Sequence, residues 1–60
     1  MKTTFYLDGK YKPKKKIEEL FGKAKVKRYV RESQEAFLKD PLVQNDYWTV
    51  FGMLTVAVSP

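Results

Sequence analysis

Sixty residues with no cysteine and no histidine exclude a disulfide framework and remove the commonest zinc ligands. A chain this short buries only about 60% of its unfolded surface, so its stability must come from dense packing or from self-association. The formal charge of +5 is unevenly divided: residues 1–31 carry eleven Lys/Arg against Asp8, Glu18 and Glu19, a net of +8, whereas residues 32–60 carry Lys39 against Glu32, Glu35, Asp40 and Asp46, a net of −3.

Such a basic half attracts polyanions without any sequence-reading element, so it speaks to partner class and not to specificity. Met1 and Lys2 are followed by polar residues, with no apolar core of a secretory signal. The longest apolar-rich run, Val50 to Val58, is nine residues and contains Thr55, far below the roughly 20 needed to span a bilayer. The expectation is one soluble, cytoplasmic domain over residues 1–60, with no membrane span. The nine aromatic residues favour dense packing of its core.

The opening "TTFYLDGKYK" predicts a β-hairpin. Asp8-Gly9 can supply the positive φ angles of a two-residue type I′ turn between two β-forming runs. That register sets Leu7 against Lys10, Tyr6 against Tyr11 and Phe5 against Lys12, and pairs the two tyrosines on one face. Pro13 ends the second strand and suits the first turn of a helix.

From Lys14 to Leu38 the apolar pattern is helical but changes phase. At about 100° per residue, Ile17, Leu20, Phe21 and Ala24 point one way, and Val26, Tyr29, Val30, Ser33 and Phe37 point the opposite way. The reversal falls at Gly22, a residue suited to a left-handed C′ position, so the pattern predicts a short helix over 14–21 and a longer one over 23–39. A strand over Lys23–Arg31 competes, yet Ser33, Ala36 and Phe37 extend the helical stripe beyond it. Asp40-Pro41 closes the second helix, and "PLVQND" is expected to hold one helical turn.

The last segment, "YWTVFGMLTVAVS", carries the strongest strand signal. Alternation puts Trp48, Val50, Leu54, Val56 and Val58 on one face and Tyr47, Thr49, Phe51, Met53, Thr55 and Ala57 on the other, with Gly52 marking a bulge or bend. The predicted fold is therefore α+β, in the order ββααβ: a small antiparallel sheet made from the N-terminal hairpin and the C-terminal strand, covered on one face by two helices. Phe51, Met53 and Ala57 are left without a cover, which points to a homodimer or a partner protein on that strip.

Function is read from charge. "IEELFGKAKVKRYV" has the outline of a helix-turn-helix, but Val26 and Val30 lie four and eight residues after Gly22, and Glu18 occupies the place where that unit needs a small residue. The two helices are better read as core-forming. Arg28 with Glu32, Arg31 with Glu35 and Glu35 with Lys39 form an expected ladder of ion pairs four residues apart. Lys14, Lys15 and Lys16 crowd the positive end of the first helix, where cations oppose the helix dipole, and Lys23, Lys25 and Lys27 lack acidic partners. With Lys12 they form the expected phosphate-contacting set.

Tyr6 and Tyr11 are candidate platforms for stacking unpaired bases, and Trp48 is expected to anchor the core. Ser33 and Ser59 have no histidine to activate them, and no Gly-rich phosphate cradle or metal-binding carboxylate set appears. No catalytic residue, cofactor or metal is expected. The reading is a non-enzymatic, nucleic-acid-binding accessory or regulatory protein, for DNA or RNA. The alternative is a protein-interaction module, an inhibitor or adaptor of the kind encoded by phages and mobile elements, acting through the apolar C-terminal strand.

Overall fold

Asp8 and Gly9 both adopt positive φ, 52° and 81°, the pair of angles that closes a two-residue turn with the twist of its flanking strands. Around them β1 (Lys2–Leu7) and β2 (Lys10–Lys12) pair antiparallel with Phe5 opposite Lys12, Tyr6 opposite Tyr11 and Leu7 opposite Lys10. The first hairpin thus has the expected register. The architecture is a computed structural model that describes residues 1–42 and 44–60.

Pro13, at φ −67°, leads into α1 (Lys14–Phe21), and Gly22 separates it from α2 (Lys23–Lys39). Both helices occupy the predicted spans. Gly22 has the expected positive φ, 88°, but its ψ of 147° lies outside the left-handed helical region and in ground that only glycine occupies readily. Its N–H closes α1 on the Glu18 carbonyl at 2.8 Å, and its own carbonyl accepts the Val26 N–H at 3.1 Å to open α2. One glycine therefore ends one helix and starts the next, which is how the buried stripe moves from Ile17 to Val26, Tyr29 and Ser33.

Nothing lies within 4 Å of a Cβ built on Gly22, so a substitution there meets backbone strain alone. Gly22→Ala should lose about 1–3 kcal/mol in a denaturant melt. An alanine variant as stable as the parent would mean that the chain relaxes into a continuous helix.

Asp40 ends α2 with its N–H on the Ala36 carbonyl at 2.9 Å, and its Oδ1 accepts the Leu42 N–H at 3.1 Å. The helical turn expected in "PLVQND" includes Val43, which lies outside the described residues.

The C-terminal segment departs from expectation. It is a second hairpin, β3 (Asn45–Thr49) and β4 (Gly52–Ser59), joined by Val50-Phe51. Thr49 makes the reversal: its hydroxyl oxygen accepts the Phe51 N–H at 3.1 Å and donates to the Gly52 carbonyl at 2.6 Å, while Gly52 takes φ 117°. Because Thr49 stands opposite Gly52, odd-numbered residues of β3 share a face with even-numbered residues of β4. Trp48 and Val50 therefore do not join Leu54, Val56 and Val58, and the core anchor expected at Trp48 is overturned. Its side chain is 84% exposed, opposite Met53.

The four strands form one antiparallel sheet in the order β2-β1-β4-β3, with Phe5 opposite Val56 and Leu7 opposite Leu54 in the central pair. Phe5, Ile17, Val26, Tyr29, Leu54 and Val56 make the core, and Leu7, Phe21, Val30 and Tyr47 pack against it. Both helices lie on this side, so the α+β class and the helix-covered face stand as expected. The other face carries Thr4, Tyr6, Tyr11, Asp46, Trp48, Met53, Thr55 and Ala57, as the cross-strand pairs require.

The two hairpin ends are tied together. Asp8 donates its N–H to the Met53 carbonyl at 2.9 Å, and its Oδ1 accepts the Met53 N–H at 2.9 Å.

Candidate nucleic-acid interface

Neither helix begins as stability alone would choose. Pro13 and Gly22 offer no side-chain cap, and neither first turn contains an acidic residue. Lysines occupy both starts instead: Lys14, Lys15 and Lys16 on α1, and Lys23, Lys25 and Lys27 on the first turns of α2, all exposed. Cations so placed oppose the helix dipole by about 0.3–1 kcal/mol each at low salt.

The break at Gly22 turns part of this charge toward one surface. Lys14, Lys23 and Lys27 line a depression between α1 and α2 together with Glu18 and Val30. Lys27 also lines a groove along the outer side of α2 with Arg28 and Arg31. Lys14 borders a notch at the β2 edge with Lys2, Lys12, Tyr6 and Tyr11. The depression shares Lys14 with the notch and Lys27 with the groove, so Lys2, Lys12, Lys14, Lys23, Lys27, Arg28 and Arg31 are grouped as one basic band, in which Glu18 also takes part.

Among the described residues the one ion pair is Lys16 Nζ to a Glu19 carboxylate oxygen, at 4.0 Å. The expected ladder on α2 does not form. Glu32 accepts the Tyr47 hydroxyl at 3.1 Å, and the Arg28 guanidinium stands 5.8 Å from the centre of the Tyr29 ring. Tyr47 on β3 thus takes up one acid of that ladder and the adjacent Tyr29 ring one base, and among the described residues Arg31 and Lys27 have no acidic partner.

Not every predicted contact residue reaches the band. Lys15 lines none of the three concavities, and Lys16 is held by Glu19. Lys25 lines none of the three either, and borders instead a concavity that includes Trp48 and Phe51. Lys2, Arg28 and Arg31, which sequence reasoning did not include, belong to it. Arg28 and Arg31 were assigned to the ladder, and Lys2 arrives only through strand pairing.

Tyr6 and Tyr11 meet edge to face, with ring centres 6.4 Å apart and planes at 76°. Tyr11, 64% exposed, keeps much of its ring open beside Lys12 and Lys14. The strip expected at Phe51, Met53 and Ala57 is divided between two places. Phe51 sits in the hairpin turn and packs edge to face on Phe21, with centres 5.4 Å apart, whereas Met53 and Ala57 lie half-buried on the open sheet face. This fourth concavity runs from Leu20, Phe21 and Tyr29 to Trp48, Val50 and Phe51, and Lys25 also lines it. The change of face at the Val50-Phe51 turn created it, and Gly52 was its one signal in the sequence.

Among the described residues no helix is long and apolar enough to cross a membrane, and no three Asp or Glu side chains gather as a metal-binding group would. Comparison with protein-family models, curated proteins and solved structures finds no match to this chain.

Proposed function

We propose that this chain is a non-enzymatic, cytoplasmic nucleic-acid-binding accessory protein that holds the phosphate backbone along its basic band. The observation that carries this reading is the meeting of Lys14, Lys23 and Lys27, from the starts of two helices, in one depression that shares Lys14 with the notch at Lys12 and Lys27 with the groove at Arg31. Clustered like charges cost stability in the free protein, and a polyanion offsets that cost by giving up its condensed counterions. Contacts of this kind position a protein on nucleic acid without reading bases. Tyr11, open beside Lys12 and Lys14, adds a surface on which an unpaired base can stack.

Fluorescence anisotropy of a labelled duplex across a salt series tests the reading. With about five phosphates contacted, log affinity should fall against log salt with a slope of about −4 to −5. Absence of binding to both DNA and RNA at low salt would overturn it. The protein-interaction reading would then lead, supported by the apolar groove at Trp48 and by Val50, which is 94% exposed.

A further inference from the structure

The two edges of the sheet are built differently. β2 has three residues, carries Lys10 and Lys12 and runs into Pro13. Short length, positive charge and a missing N–H all discourage a further strand. β3 has five residues, Asn45–Thr49, with no lysine, arginine or proline, and its outer side bears the exposed Trp48. It lacks each of the devices that guard β2.

The backbone groups that β3 offers follow from its neighbour. Met53 directs both its N–H and its carbonyl to Asp8, on the β1 side of β4. Bonded and non-bonded pairs alternate along an antiparallel ladder, so Trp48, which stands opposite Met53, turns its N–H and carbonyl away from β4. Asp46, opposite Thr55, does the same. The free edge therefore presents donors and acceptors at two residues, Asp46 and Trp48.

We propose that β3 is a self-association edge, to which a second copy of this chain adds its own β3 antiparallel in a register centred on Tyr47. In that register Asp46 stands opposite Trp48 of the second copy and the reverse, and each such pair exchanges two hydrogen bonds. Every outward group on both strands is then used. Neighbouring registers do worse: one centred on Asp46 sets two carboxylates against each other, and one centred on Trp48 leaves Asp46 opposite Val50, in the turn. Tyr47 meets its own copy on the helix side, where it already lies 4.2 Å from the Tyr29 ring centre, and the two Trp48 side chains come within diagonal reach on the open face. The edge is thus complementary to itself in hydrogen bonding and free of like-charge opposition, the two conditions that pairing with a second copy requires. The inference is independent of the nucleic-acid reading.

Sedimentation equilibrium of the full chain from low to high micromolar concentration tests it, with Trp48→Lys and Trp48→Glu compared against the parent. Trp48 is too exposed to hold the monomer together, and circular dichroism checks that each variant is folded. Trp48→Lys sets an ammonium opposite Asp46 and should still dimerise. Trp48→Glu sets a carboxylate there twice and should associate about tenfold or more weakly than the lysine variant. The charge swap Asp46→Lys/Trp48→Glu should restore the dimer. Should Trp48→Glu fail to fold, the doubly basic Asp46→Lys/Trp48→Lys provides the same like-charge opposition and should be monomeric. A parent chain that is monomeric at high micromolar concentration overturns the proposal, and so does equal association of the like-charge and opposite-charge variants.

Discussion

Gly52→Ala should remove about 3 kcal/mol or more of stability, a large share of the roughly 3–9 kcal/mol that a chain of this length holds. Two effects add. The backbone at Gly52 has φ 117°, and a Cβ there would lie 2.6 Å from the Asp8 carboxyl carbon. Asp8 cannot simply turn aside, because its carboxylate and its N–H both bond Met53 at 2.9 Å. Moving it unties the two hairpin ends and leaves the Met53 N–H without its charged acceptor. Gly22, by contrast, has open space around it, so its alanine variant should be the milder of the two. Denaturant melts of Gly52→Ala, Asp8→Gly and the double variant separate the effects. The double variant should be more stable than the sum of the single losses allows, since the collision is counted in only one of them. An alanine at Gly52 within about 0.5 kcal/mol of the parent would contradict the tie between the hairpins.

The first hairpin and both helices were legible because each is specified locally. Asp8-Gly9 dictates its own turn, and the phase reversal at Gly22 reports where the buried stripe changes sides. The second hairpin was hidden because Val50-Phe51 carries no turn chemistry of its own. The Thr49 hydroxyl and the φ of Gly52 make that reversal, and a glycine inside a β-forming run reads equally well as a bulge. That turn by itself takes Trp48 out of the core and sets Phe51 on Phe21.

The candidate site was legible as composition and not as geometry. Lys12, Lys14, Lys23 and Lys27 stand out along the chain, but their meeting on one surface depends on how α1 crosses α2, which no local pattern sets. Lys15 and Lys25 look equivalent to them in sequence and point elsewhere. The ladder on α2 failed for a related reason: Glu32 accepts from Tyr47 on a distant strand, a partner that a spacing of four residues does not reveal, and Arg28 lies against the ring of its neighbour Tyr29.

The second large effect is on binding, and it tests the band itself. Lys14→Glu/Lys23→Glu/Lys27→Glu reverses the shared depression. Lys10→Glu/Lys15→Glu/Lys25→Glu makes the same change in net charge at lysines that line none of the three basic concavities. Each phosphate neutralised contributes about one power of ten to affinity near 50 mM salt, so loss of three contacts should cost on the order of a thousandfold. Anisotropy titrations of both triple variants against one labelled duplex, at one salt concentration, make the comparison. The account predicts about a thousandfold loss for the first variant and less than about tenfold for the second; equal losses in the two would show that net charge, and not this surface, does the binding.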